Sequence, residues 1–325
     1  MQRASYLFLS LFIILNYLTC RSFASEGDDQ PAFNHCVDEC VQLSCPVELD
    51  FFLKLLKWSC SDNCKYTCMQ SLTDKALQEG TPVYQYYGKW PFYRFLGIQE
   101  PASVIFSIGN GLVNLYYFQL IRKKAPSTSH LRGFLILYTL LGMNAWLWST
   151  IFHTRDRKFT ELMDYFSAGL LVLYSLFYAI IRVCRVRNSL AIKWLGTVFV
   201  CLYVAHVGKL TIVSFDYTYN MYANVIVGAC QILVWSGWYI VQMLKKGNNK
   251  SMSYARLGII SGLGVSLAAS LELFDFPPIW RTFDAHSLWH LSTIPLTALW
   301  YMFLMEDLWH EANHENTFTS YKLLP

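Results

Sequence analysis

The chain has 325 residues, 54% of them apolar and 15% charged, with a net charge of +4 and a mean hydropathy of +0.29. Soluble domains carry about 25% charged residues. That shortfall, with 22 Phe, 21 Tyr and 11 Trp, excludes a soluble cytosolic enzyme, and so aromatic a chain is not disordered. The basic residues sit in short clusters between apolar runs, a pattern that orients helices in a bilayer and does not coat a nucleic acid. The expected class is an all-α membrane protein.

Residues 1–24 read as a secretory signal peptide. Arg3 supplies a basic start, Tyr6 to Leu18 an apolar core, and Ser22-Phe23-Ala24 small residues at the cleavage positions. The core is short for a span of roughly 20 residues. An uncleaved anchor is the alternative, and either delivers the next segment to the secretory lumen.

Six of the ten cysteines follow at C-x3-C-x4-C-x14-C-x3-C-x3-C, from Cys36 to Cys68. In an oxidising lumen an even cluster of this kind is a disulfide framework, with 15 possible pairings for six thiols. Cys36 and Cys40 share a face if helical, as do Cys60, Cys64 and Cys68. An antiparallel helical hairpin then pairs Cys36 with Cys68, Cys40 with Cys64 and Cys45 with Cys60. A zinc cluster is the rival, but the spacing lacks C-x2-C knuckles. Cys184, Cys201 and Cys230 fall in or beside apolar runs and are read as reduced. Residues 25–100 are thus expected to form a small disulfide-rich lumenal domain.

Seven apolar runs succeed it, at 101–121, 133–152, 162–181, 190–208, 220–244, 255–274 and 286–305. Each is long enough to cross about 30 Å of hydrocarbon as a helix, and lipid permits no exposed irregular backbone. Short connections make neighbours antiparallel, so 101–305 reads as one seven-transmembrane helix bundle. The first, third and fifth loops hold twelve basic residues: Arg122, Lys123, Lys124, Arg132; Arg182, Arg185, Arg187, Lys193; and Lys245, Lys246, Lys250, Arg256. The even loops hold five: Arg155, Arg157, Lys158, Lys209 and Arg281. The positive-inside bias therefore puts the odd loops and the tail 306–325 in the cytosol and the N-terminus in the lumen. The sequon Asn249-Lys250-Ser251 then faces the cytosol and escapes glycosylation.

This topology uses no histidine, so the histidines test it. His153 ends the second span at its lumenal edge. His286 and His290 open the seventh at the same edge, one turn apart on one face. Three neutral imidazoles in one layer are a ligand set for catalytic zinc, with a fourth position for water. Ser149 lies one turn deeper than His153 on its face. Asp164 opens the third span, again lumenal, where a carboxylate at membrane depth is costly and a functional candidate. Asp284, two residues before His286, is a weaker candidate, placed to hydrogen-bond and orient a ligand imidazole. Against this stand simpler readings: interfacial histidines that snorkel to water, and an aspartate that complements a helix N-terminus. His206 also lies at a lumenal helix end, with no partner beside it in sequence.

His310-Glu311-Ala312-Asn313-His314 spells H-E-x-x-H, the zinc-protease helix. It falls in a polar terminal stretch on the cytosolic side, with eleven residues after it, and reads as a chance match.

Ser149-x3-His153, Asp164 and His286-x3-His290 together resemble the signature of the CREST superfamily of seven-span hydrolases, which includes alkaline ceramidases and adiponectin-type receptors. Over the mature length the chain resembles the post-GPI-attachment phospholipase A2 family. The telling stretches are KWPFYRFLGIQEPAS (89–103), NAWLWSTIFHTRD (144–156), MDYFSA (163–168), FDYTYNMYANV (215–225), LELFDFPPIW (271–280) and DAHSLWHLSTIP (284–295).

The resemblance implies a hydrolase that removes the sn-2 acyl chain from the phosphatidylinositol of GPI-anchored proteins, in the Golgi membrane or the endoplasmic reticulum. Zinc would be held by His153, His286 and His290, with Ser149 and Asp164 catalytic beside it. A ceramidase-like amide hydrolase, a seven-span receptor and an adaptor for GPI-anchored cargo are the alternatives. The receptor reading is weakened by the absence of an acidic-Arg-Tyr triplet after the third span and by IPLTALWY in the seventh.

Overall fold

The computed structural model describes residues 26–46, 48–246, 254–273 and 275–322, without the side chains of 245–246, 272–273 and 314–322. The expected signal peptide, residues 1–24, and the sequon lie outside the described residues. Ten α-helices follow one another among those described: α1 Pro31–Ser44, α2 Phe51–Leu55, α3 Cys60–Glu79, α4 Pro101–Lys124, α5 Arg132–Thr154, α6 Lys158–Val183, α7 Ser189–Gly208, α8 Tyr217–Lys246, α9 Ala255–Leu273 and α10 Ala285–Lys322. A π turn, Lys209–Val213, extends α7. The described residues hold no strand beyond isolated bridges. They divide into two compact units, one of residues up to Pro101 with Leu271–His286, the other of Ala102–Ser270 with Ser287 onward.

The first unit is a helical hairpin with a wrapped loop. Disulfides join Cys36 to Cys68 and Cys40 to Cys64 between α1 and α3, and Cys45, the residue after α1, to Cys60 at the start of α3. The i,i+4 spacing of Cys36 and Cys40 on α1 and of Cys60, Cys64 and Cys68 on α3 puts each set on one face of its helix, which makes that ladder possible. α3 starts with a capping box, Ser59 accepting from the Asp62 N–H and Asp62 from the Ser59 N–H. It stops at Gly80, whose φ of 66° needs no Cβ. Phe33 packs on Tyr86, ring centroids 4.8 Å apart.

The loop before α10 belongs to this unit, and Arg281 anchors it. Only 6% exposed, its guanidinium donates to the Pro91 carbonyl at 3.1 Å, to Tyr93 Oη at 3.2 Å, and to Asp74 and Gln70. Counted from sequence as a loop charge, Arg281 is an internal strut.

In the second unit α6 packs against α5, α7 and α8. Its core gathers Tyr117, Ile121, Leu131, Leu135, Tyr178, Ile181, Tyr301, Phe303, Leu304 and Leu308. Among the described residues six helices, α4, α5, α6, α7 with its π turn, α8 and α10, are long and apolar enough to cross a membrane, while the apolar part of α9, Ala255–Leu271, is shorter. α7 buries no residue, and Leu190, Trp194, Val198 and Val204 point outward, as side chains facing lipid do. The chain is a multi-pass membrane protein.

α10 continues well beyond residue 305, where the sequence reading ended its last span. Leu308 and Ala312 are buried, and Asp307 and Glu311 pair with arginines from α6 and the residues after it. A stretch tied down in this way stays helical.

Candidate functional site

The apolar stretch LILYTLLGMNAWLWSTIF holds α5 rigid and carries Ser149 and His153, one turn apart, to its C-terminal end. Both are buried, at 5% and 1% exposure. α10 starts at Ala285 and presents His286 and His290 one turn apart. The ligand nitrogens of His153, His286 and His290 all lie within 4.8 Å of one another. The His153 and His290 rings meet edge to face with centroids 5.1 Å apart, and Trp146 and Trp289 flank His290 at 5.2 and 5.0 Å.

These residues fit zinc. Imidazole nitrogen is a preferred donor, and bonds of about 2.0–2.1 Å in a tetrahedral site put ligand nitrogens about 3.4 Å apart, within side-chain adjustment of the observed trio. The cysteine group Cys45, Cys60 and Cys64 is close enough to suggest a second cluster, but all three sulfurs are in disulfides, which removes the thiolates a metal needs.

The other candidates fall as follows. Asp164 stands in the second turn of α6, half-buried. Asp284 is the residue before α10 and is 5% exposed. His206 does have a neighbour, Tyr219, whose hydroxyl lies 3.4 Å from its Nδ1. In H-E-x-x-H, His310 stacks on Tyr254 at 4.5 Å and Glu311 is 3% exposed among Arg182, Arg185 and Arg187 at 3.3 to 3.5 Å. Those charges commit Glu311 to structure. The side chain of His314 lies outside the described residues.

α4 contributes residues that sequence reading passed over. Ser107, fully buried, has its Oγ 2.9 Å from His290 Nδ1 and 3.0 Å from Ser149 Oγ. Asn110 Nδ2 donates to the His290 carbonyl at 2.8 Å. Asn114 Nδ2 donates to the Asn110 carbonyl, and Asn114 Oδ1 accepts from Tyr301 Oη at 2.7 Å. A signal existed: Ser103, Ser107, Asn110 and Asn114 recur at spacings of four, three and four, one polar stripe along an otherwise apolar span.

The sequence model of the Per1-like family matches residues 50–308. The chain belongs to the Per1-like family. Relatives align over most of its length. A "GPI-specific phospholipase A2-like PGAP3" of Danio rerio is 38% identical over 92% of this chain and 95% of its own. The protein of that name from Homo sapiens is 35% identical over 87% and 89%, and a "Protein PER1 homolog" of Schizosaccharomyces pombe is 37% identical over 87% of each. No solved structure matches. The family match spans α4 to α9 entire and the part of α10 that bears His286, His290 and Asp307.

Proposed function

We propose that this Per1-like protein is a zinc-dependent acyl-ester hydrolase that removes the sn-2 fatty acid of GPI-anchored proteins at the lumenal leaflet of the Golgi or endoplasmic reticulum membrane. The convergence of the His153, His286 and His290 nitrogens within 4.8 Å carries the reading, and the printed names of the relatives support the substrate class. The positive-inside count supports a lumenal site, in the leaflet that holds the glycerol esters of a GPI anchor.

Zinc held by the three imidazoles would polarise the ester carbonyl and bring the pKa of a bound water to about 7. The chain's own residues do the rest. Asp164 accepts the proton of the attacking water. Ser149 donates a hydrogen bond to the oxyanion that develops on the carbonyl. Water adds to the sn-2 carbonyl, the ester C–O bond breaks, and the glycerol oxygen leaves with a proton. The products are a free fatty acid and a lyso-anchor. Asp284, buried just ahead of His286, orients the start of α10.

The test compares wild type with a His286→Ala, His290→Ala variant in detergent, measuring zinc per chain and fatty-acid release from a GPI substrate beside its amide analogue. About one zinc in wild type, lost together with ester hydrolysis in a folded variant, is the expected result. A variant that loses zinc yet releases fatty acid at the wild-type rate overturns it, and preferential amide cleavage would make the protein a ceramidase-like enzyme.

A further inference from the structure

Ser107 sits where two parts of the proposed centre meet. Its Oγ is within hydrogen-bond distance of His290 Nδ1 (2.9 Å) and of Ser149 Oγ (3.0 Å), and no part of the residue is exposed. It comes from α4, whereas Ser149 and His290 come from α5 and α10. One turn further along α4, Asn110 binds the His290 carbonyl, and Thr293 Oγ1 donates to the same carbonyl at 2.8 Å. His290 is thus held both by its ring and by its backbone, which is how a metal ligand is given a defined orientation.

We infer that Ser107 is the positioning residue of this centre, fixing the tautomer and orientation of His290 and the direction of the hydrogen bond to Ser149. The inference rests on the zinc reading above. With Nδ1 taken by Ser107, the ligand atom of His290 is Nε2. A neutral imidazole that offers the Nε2 lone pair carries its proton on Nδ1, so Nδ1–H donates to Ser107 Oγ. The Ser107 hydroxyl has one proton, which then goes to Ser149 Oγ. Ser149 in turn keeps its own proton for a group outside this chain of bonds. The polarity runs from ligand to substrate, His290 to Ser107 to Ser149, and makes Ser149 a hydrogen-bond donor.

The experiment uses three full-length variants purified in detergent: Ser107→Ala, Ser107→Thr and Ser103→Ala. Ser103 is one turn away on the same face of α4 and equally buried, and its hydroxyl has no partner among the described residues. Zinc affinity is read by competition with a chromophoric chelator, and the ligand field by the visible spectrum of the cobalt-substituted protein. Ser107→Ala is expected to weaken zinc about ten- to hundredfold and to shift the cobalt bands. Ser107→Thr, which keeps the hydroxyl, recovers most of the affinity, and Ser103→Ala matches wild type.

Wild-type affinity and spectrum in Ser107→Ala overturn the inference while leaving the zinc reading intact. Equal weakening by Ser103→Ala also overturns it, since the effect is then general to the helix. A wild-type protein that binds no zinc overturns both.

Discussion

Asp307 on α10 takes the Nε of Arg182 at 2.6 Å and its Nη2 at 2.8 Å, a two-pronged pair from α6 in which neither side chain is more than 5% exposed. Tyr254 Oη donates to the same carboxylate at 3.2 Å. Arg182 also reaches Glu311, one turn beyond, at 3.3 Å. About 21 residues of helix separate this network from His286, roughly 30 Å at 1.5 Å per residue, so it closes the opposite end of the bundle from the histidines.

Removing one partner of such a pair strands a buried charge. Asp307→Ala is expected to cost about 3–5 kcal/mol, read as a lower thermal unfolding midpoint in detergent. Arg182→Met combined with Asp307→Leu should recover most of the loss, because apolar replacement removes both desolvation penalties. An additive double variant would mean that the pair does not act as a unit.

The proposed chemistry separates metal binding from turnover. Asp164→Asn should keep zinc at the wild-type level and slow fatty-acid release by about 10²–10⁴-fold. Ser149→Ala should keep zinc and cost about 10²–10³-fold. Turnover with either variant at the wild-type rate would remove that residue from the mechanism.

Chelation offers a reversible version of the same distinction. Dialysis against a strong zinc chelator is expected to abolish fatty-acid release while the disulfide unit, held by three covalent cross-links, remains resistant to proteolysis. Returning zinc should restore turnover. Hydrolysis that persists in metal-free protein would contradict the proposal.

Backbone proximity sets a further test. A Cβ at Gly142 on α5 would run into Asn114 Oδ1, the atom that accepts the Tyr301 hydroxyl. Gly142→Ala should therefore destabilise the bundle by about 1–3 kcal/mol, the usual range for overpacking, despite alanine's better helix propensity. A rise in the unfolding midpoint would show that α4 and α5 part easily at this point.

The H-E-x-x-H stretch can be dismissed by experiment. Glu311→Gln leaves three arginines with less countercharge and should lower the unfolding midpoint, while fatty-acid release per folded, zinc-loaded molecule stays at the wild-type level. A selective loss of turnover would bring Glu311 back as a catalytic group.

Much of this protein follows from local pattern. Apolar runs about 20 residues long specify helices in lipid because hydropathy and backbone satisfaction add along the chain, so α4 to α10 were legible to within a few residues at most ends. The cysteine hairpin and the His286–His290 pair follow from i,i+4 periodicity, and the place of His153 in the last turn of α5 from the extent of the apolar run. What only the tertiary structure decided is which buried polar groups meet. Arg182 counts as a cytosolic loop charge in sequence yet pairs with Asp307, 125 positions away. Arg281 counts as a lumenal one yet binds Asp74 and the Pro91 carbonyl. Ser107 reads as one small residue in an apolar span yet touches His290, 183 positions on. Periodicity tells which face of a helix is polar but not which helix it faces. That choice is made by the packing of the whole bundle, where each buried donor must find its acceptor.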